Sequence, residues 1–521
     1  MNIEGNPMRK SAATAARVSF FSALAALVCV SSEVTRAAAS AVPDLPGHWT
    51  GVAHDSAGGF HADSLVDFEI RNASVGLELV DHDRARNMAA PVALTVRGRT
   101  FRAQYTGLWP NPVQVSGRLA ADGRSLEVLL THIGMTGKES QHATLHQADT
   151  AARSFEAPRV DGQGARVLDY VYAPPQPAND GIPVASASQE GIDPTPLAAL
   201  VKSILAQTGV RERAQTEGVL VLRHGKLVFE EYFWGQSAGN PHIISSCTKS
   251  VTSILTGIAA DQGQLRVDDP VVTYFPAQRD SLWGRARQPI TVRNVLSMSA
   301  GTAWDDSVTG PANPSWQLLE SHDVPAYVLS RPMVHPPGSF YNYDNGLPTL
   351  MGFVVARVTR EPYERFAERT LFAPLGISNY RWTLNPDGTP LAAGGLYLRP
   401  RDMAKIGLLM LDRGRWQGHQ ILSSAWVAES TQQQTAADQY PYGYYWHLTN
   451  AKHRHVKNVD GYMALGQGGQ VIAVFPSLQL VVVITSQNWA MRGPTSMPFS
   501  LMDDFILPAV DAAAPGTAAA F

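Results

Sequence analysis

Ser246 and Lys249 stand three residues apart in "HIISSCTKSVTSI" (residues 242 to 254), with a second hydroxyl, Ser245, directly before the first. On a helix, side chains three or four positions apart share a face, so either hydroxyl can meet the Lys249 amine. A serine hydroxyl becomes a nucleophile when a base takes its proton. An amine serves as that base only when neutral, a state that burial and nearby positive potential promote by lowering the lysine pKa. The same residues also have a structural use, because a serine at a helix entrance accepts a hydrogen bond from a backbone N–H two or three positions on. Ser245 suits that N-cap role. Ser246 then falls in the first turn, where backbone N–H groups and the helix dipole favour developing negative charge. Spacing by itself leaves the choice between the two hydroxyls open.

A mechanism with a lysine base needs a further acid/base group and donors for an oxyanion. Tyr343-Asp344-Asn345 lies in "PPGSFYNYDNG" (336 to 346), a loop bounded by Pro and Gly. A tyrosine hydroxyl near an ammonium can have a lowered pKa and relay a proton to a leaving group. "LGQGGQVIAVF" (465 to 475) sets glycines just before an apolar strand. Backbone there can come close to a ligand, leaving N–H groups for a tetrahedral oxyanion. A rival nucleophile is Ser237 in "GQSAG" (235 to 239), which matches the Gly-x-Ser-x-Gly elbow. That elbow needs a helix directly after it. Here "NPHIISS" follows with its proline, among antiparallel hairpins, so Ser237 reads as part of a surface turn.

The elements that must position these groups are legible from periodicity. Val251, Ile254, Leu255 and Ile258 recur at helical spacing after Ser246, with Gly263 as a stop signal, and Cys247 lies one turn earlier on the same stripe as a packing residue. Ser246, Ser250, Ser253 and Gly257 form a separate face of small residues, which lets another element approach or leaves room for a substrate. Upstream, "DPTPLAALVKSILAQ" predicts a helix, and "GVLVLRHGKLVFEEYF" two strands joined at His224-Gly225-Lys226. Late in the chain "QVIAVF", a turn at "PSLQ" and "LVVVITS" predict another hairpin, so strands flank a long helical middle.

Residues 44–152 alternate short β-type runs with turns, as in "LVDFEI", "VGLELV", "VALTVRG", "TFRAQYTG" and "VQVSGRLAADGRSLEVLL". They predict a small all-β domain, a sandwich or barrel, of unknown role, with "AADGRS" as a hairpin turn. It carries no catalytic constellation, and His82 between Asp81 and Asp83 reads as a solvated loop rather than a metal site. Residues 153–185, with "YAPPQPANDGIP", read as a linker, 186–510 as the second domain and 511–521 as a disordered low-complexity tail.

With 521 residues, 45% of them hydrophobic, the chain can bury more than one core. A formal charge of -3 argues against nucleic acid as a partner. Arg9, Lys10 and Arg17 precede the apolar run "VSFFSALAALVCV" and then "RAAASA", which reads as a signal peptide over 1–41 cleaved near Ala39 or Ala41. The expected location is therefore periplasmic or secreted, with no stable membrane span after cleavage. Cys247 would then be the one remaining cysteine, so no intramolecular disulfide can form.

The order Ser-x-x-Lys, then Tyr-x-Asn, then a glycine-rich entry to a late strand resembles the β-lactamase and penicillin-binding-protein superfamily. It is most similar to the class C type branch, with its esterases and 6-aminohexanoate-dimer hydrolases. "CTKSVTSILTGIAADQG", "ITVRNVLSMSAGTAWDD", "LFAPLGISNYRW" and "LYLRPRDMAKIGLLMLDRGRW" extend the resemblance over roughly 180 to 510. It implies an α+β fold, a β-lactamase/transpeptidase-like domain with an antiparallel sheet, helices on one face and an all-helical part beside it. The small all-β domain precedes it. It also implies Ser246 as acylated nucleophile, Lys249 and Tyr343 sharing proton transfer, and Asn345 bonded to substrate or Lys249. The N–H groups of Ser246 and Gln470 would form the oxyanion site. No metal or cofactor is implied.

Where many relatives have Lys-Thr-Gly or His-x-Gly, this chain has Gln467-Gly468-Gly469, so a cation for a substrate carboxylate is missing. An Arg or Lys from a loop, or His453 or His455, could fill the gap. The expected function is an exported serine hydrolase that cleaves a small-molecule ester or amide. The alternatives are a β-lactamase or D,D-peptidase, and a non-catalytic binding or sensor protein that uses the β domain. The sequence leaves the oligomeric state open.

Overall fold

The computed structural model describes residues 45–147 and 170–512, apart from 56–63, 73–75, 82–91, 107–111, 122, 135–136, 207–215, 234–235, 287, 309, 437–438, 450–458 and 487–495. The export signal, His82, the first part of the linker, His453, His455 and all but the start of the tail lie outside the described residues.

The N-terminal strands form a closed antiparallel barrel: β1 Gly47–Asp55, β2 Ser64–Asn72, β3 Leu77–Asp81, β4 Val92–Arg97, β5 Thr100–Thr106, β6 Pro112–Leu119, β7 Ser125–Gly134 and β8 Gly137–Gln147. "AADGRS" turns β6 into β7, with Ala120 N–H donating to the Ser125 carbonyl and Gly123 in a left-handed conformation. β1, which the sequence runs do not single out, closes the ring by pairing with both β2 and β8. Trp49, Phe68, Leu79, Phe101, Leu126 and Leu145 belong to its buried core. Gly117 leaves space for the Phe101 ring, which any larger side chain there would strike. A barrel of eight strands is about wide enough for its own side chains to fill.

The second domain is built on a six-stranded antiparallel sheet. Its order is β10 Lys226–Tyr232, β9 Thr216–Arg223, then the strands Leu480–Ser486, Gln470–Phe475, Gly461–Gly466 and His447–Thr449. Helices cover both faces of this sheet, a correction to the one-sided arrangement expected. Val219, Val221, Val482 and Ile484 pack with the helix Pro194–Ala206 and the C-terminal helices Ser496–Leu501 and Leu507–Ala512. Leu220, Leu222, Val481 and Val483 pack on the opposite face with the helices Cys247–Asp261 and Pro400–Leu411. The cause is legible in strands such as "LVVVITS", which are buried at every position and have no polar face to give to water.

The helical part, with Val292–Leu296, Val324–Leu329 and Gly346–Thr359, lies against the Cys247–Asp261 helix from the side away from the sheet. That helix is therefore shared between both parts, and residues 247–259 are all buried. Its small face serves close approach. Ser250 Oγ donates to the Tyr445 carbonyl at 2.6 Å, and the Trp426 indole fills the space over Gly257.

The linker boundary also needs correction, because residues 170–185 are tied to the second domain. Tyr172 Oη donates to the Val228 carbonyl at 2.9 Å, Val184 bridges Leu227, and Arg401 binds Asp180, the Gln176 carbonyl and Glu230. The Pro-rich composition that suggests a linker here gives a rigid extended segment whose polar groups find fixed partners.

Gly257→Ala tests the shared helix. In an open helix the change stabilises by about 1 kcal/mol. Here the new methyl meets the Trp426 indole, so a net loss of about 1–3 kcal/mol is expected, read as a lower urea midpoint at unchanged slope.

Candidate active site

The chain reaches the Cys247–Asp261 helix from the short strand His242–Ile243, which pairs with Leu396–Leu398. Between them Ser245 adopts a left-handed conformation, φ 48°. It does not cap the helix with its side chain, contrary to expectation: its carbonyl instead accepts from Thr248 N–H at 3.0 Å and Thr248 Oγ1 at 2.6 Å. Capping chemistry presumes an extended residue at the helix entrance, whereas this buried entry turns more sharply. A non-glycine residue held left-handed costs on the order of 1 kcal/mol, so the surrounding packing has to maintain it. Ser246 follows at the helix boundary with no capping bond, and is the only residue from 244 to 259 that is not buried.

Lys249 is 2% exposed, and its Nζ lies 2.8 Å from Ser246 Oγ and 2.7 Å from the Ala393 carbonyl. Burial lowers its pKa to about 7, against the pull of the Asp306 and Asp344 carboxylates, which favours the ammonium. Desolvation alone thus frees the amine, and the positive potential anticipated from the sequence plays no part. Tyr343 presents its ring to the same amine, 4.9 Å from Nζ, and its hydroxyl is close enough to Ser246 to feel it electrostatically. Its phenol is pushed up, not down, first by burial, against a smaller lowering by Ser246, and further by the nearby Asp306 carboxylate. Tyr343 therefore keeps its proton at neutral pH. Asp344 beside it is fully buried, accepting from Thr302 Oγ1 at 2.6 Å and Gly346 N–H at 2.7 Å, and burial raises its pKa to about 7.

The structure distributes the other expected residues unevenly. Asn345 donates to Asp306 Oδ2 at 2.8 Å and Ser315 Oγ at 2.9 Å, so its amide is not bonded to Lys249. Gln467 is exposed at the tip of the Gly466–Gln470 hairpin, where Gly468 and Gly469 take positive φ values of 83° and 90°. The Gln470 side chain is buried and spent on the Ser486 backbone, leaving only its main chain for a ligand. That main chain is close to the nucleophile turn: Cys247 Sγ lies 3.5 Å from the Gln470 carbonyl. Gly466 abuts the Ile244 carbonyl so closely that any side chain there would collide with it. Ser246 N–H has no backbone acceptor among the described residues. Cys247 is buried and its thiol is pushed up by desolvation, as befits a packing residue. Ser237 sits in a turn and, among the described residues, its hydroxyl bonds only Asn240, 3.2 Å away.

Three participants escaped the sequence reading. The Ala393 carbonyl holds Lys249 from a loop whose small residues, "LAAGGL", were its only signal. Asp306, in "GTAWDD", reaches the site by folding back onto Asn345. His447 lies 6.4 Å from the Tyr343 ring, its Nδ1 3.0 Å from Tyr440 Oη. A cavity of about 540 Å³, lined by Thr431, Thr449, Asp460 and Tyr462 among others, includes none of the Ser246 group.

The comparisons with known proteins agree with this geometry. Residues 197–496 match the family model described as Beta-lactamase. The chain is 26% identical over 231 residues to the 6-aminohexanoate-dimer hydrolase of Paenarthrobacter ureafaciens, a match that covers 42% of this chain and 57% of that one. The chain thus matches a little over half the length of that relative. Among solved structures, a candidate β-lactamase from Bacteroides dorei superposes with a TM-score of 0.51 at 19% identity, over 61% of this chain and 99% of the other. EstCE1, a hydrolase with promiscuous acyltransferase activity, gives 0.51 at 18% identity, over 60% and 98%. At these identities the likeness is one of fold.

The depressed Lys249 pKa has a measurable counterpart in stability. Between about 7 and the ordinary value of 10.5 the unfolded chain carries a proton that the folded one lacks, so Lys249 makes stability rise with pH across that window. Below it both states are charged and the full cost of burying the ammonium is felt. Lys249→Met should therefore be stabilised relative to wild type most at pH 7 and below, with the difference shrinking as pH rises. Urea unfolding of both proteins at several pH values checks this, and a pH-independent difference would refute it.

Proposed function

The chain belongs to the β-lactamase family, and on that premise we propose that it is an exported serine hydrolase that cleaves an ester or amide through an acyl-enzyme on Ser246. The observation that carries this reading is the near-neutral Lys249 amine 2.8 Å from the Ser246 hydroxyl. In the proposed sequence Lys249 takes the Ser246 proton as Oγ bonds to the carbonyl carbon. The N–H groups of Ser246 and Gln470 receive the oxyanion. The Tyr343 phenol protonates the leaving oxygen or nitrogen as its bond to carbon breaks, and is itself reprotonated from Lys249. Water then attacks the acyl-enzyme, its proton returning through the same groups, and releases the acid with Ser246 restored.

The missing cation at Gln467 favours acyl hydrolysis in general over β-lactam or D-Ala-D-Ala recognition. Export rests on the charged and apolar pattern of the first 41 residues. The N-terminal barrel packs Trp49, Phe68 and Phe101 into a core of its own. Among the described residues no helix is long and apolar enough to cross a membrane.

A panel of nitrophenyl esters, nitrocefin and linear amide oligomers tests the reading. Esters or amides should be turned over by wild type and Ser237→Ala, with kcat/KM falling about 10³-fold or more in Ser246→Ala. An activated phosphonate should label Ser246. Activity lost in Ser237→Ala but kept in Ser246→Ala would overturn the assignment, and nitrocefin as the best substrate would favour a β-lactamase. The pH profile of kcat/KM should rise through about 7 as Lys249 loses its proton.

A further inference from the structure

The loop that precedes the Tyr343 segment brings a fixed, uncompensated carboxylate to the mouth of the site. Asp306 is exposed, yet both of its oxygens are held. Trp304 Nε1 donates to Oδ1 at 3.0 Å, Ser315 Oγ to the same atom at 2.5 Å, and Asn345 Nδ2 to Oδ2 at 2.8 Å. Every one of these donors is neutral. Among the described residues Asp306 has no ion-pair partner. Arg331, on the same loop system, directs its guanidinium over the Trp304 and Tyr327 rings, 5.8 and 5.5 Å from their centres, and donates to the Ala303 carbonyl.

A carboxylate bound only by neutral donors keeps its whole charge, and one that is fixed at both oxygens keeps it in one place. Asn345 anchors it two residues from Tyr343, and its field reaches both Lys249 and Tyr343. Gln467, at the position where a cation would favour anionic substrates, is neutral. Among the described residues, the fixed charge added beside Lys249 and Tyr343 is thus negative, which favours a positively charged ligand.

We propose that Asp306 is a specificity-determining residue that selects substrates bearing a cationic group, an ammonium or guanidinium, near the bond to be cleaved. This rests on the serine-hydrolase reading above and adds the charge class of the substrate. The three hydrogen bonds also staple the loop, which a purely structural role would explain. The charge preference is what such a role does not supply.

The test uses three nitrophenyl esters of equal acyl length that end in an ammonium, a neutral isostere and a carboxylate. In wild type at low salt, kcat/KM should favour the cationic ester over the neutral one by about tenfold, with the anionic ester lowest. Asp306→Asn should collapse both ratios towards one, whereas Asp306→Glu, which keeps the charge, should retain the order. Ratios within one substrate set cancel any general damage to the machinery, and the wild-type preference should also shrink near 1 M salt, where the Debye length is about 3 Å. Equal rates for all three esters in wild type, or ratios unmoved in Asp306→Asn, overturn the inference while leaving the hydrolase reading intact. No turnover of any ester together with no phosphonate label on Ser246 overturns that reading, and the inference with it.

Discussion

A lysine amine almost without access to water, held against a serine hydroxyl, sets the terms for what packs around it. Burial is the only force that deprotonates it, since the charges nearby are acidic and pull the other way. The site therefore depends on exclusion of water, and exclusion depends on the shared helix being walled in on every side. The sheet covers one flank, the helical part the other, and the loop at Ala393 closes the remaining approach with a carbonyl that accepts from the amine. Ser246 is left as the sole opening in that run of buried residues, so a hydroxyl hydrogen-bonded to the amine is also partly open to solvent.

The same water exclusion explains the state of Tyr343. Its ring lies 4.9 Å from the Lys249 amine, and its burial away from water keeps the phenol protonated. Burial thus moves the two groups in opposite senses, drawing the Lys249 pKa down and pushing the Tyr343 pKa up. Asp344 contributes by position: its buried carboxyl, fixed by Thr302 and the Gly346 N–H, anchors the loop from which Tyr343 projects.

Local rules carried the sequence reading a long way. Alternation and turn residues outlined the barrel strands from β2 onward and the two hairpins of the sheet, and helical spacing marked the apolar stripe behind Ser246. The Ser246 and Lys249 spacing also held a contact that the folded chain makes. What escaped was whatever depends on tertiary surroundings. Ser245 was misassigned because its left-handed turn is imposed by the strand before it and the hairpin beside it. The Asn345 partner, Asp306, is 39 residues distant in the chain, and no periodicity links them. The direction of the Tyr343 shift follows from how buried it is, a property no short stretch of residues encodes.

The close seat of Gly466 against Ile244, and of Cys247 against a carbonyl 223 residues further on, has a kinetic meaning. Closing a contact over such a separation is entropically costly and therefore slow, and the hairpin that makes it is drawn from nearly the last strands of the chain. A nascent or truncated polypeptide could hold Ser246, Lys249 and Tyr343 in full and still lack one wall of the cleft. The turn that carries Ser246 is thus finished by a partner far away in the sequence, and its last wall is set in place by tertiary folding rather than by its own neighbours.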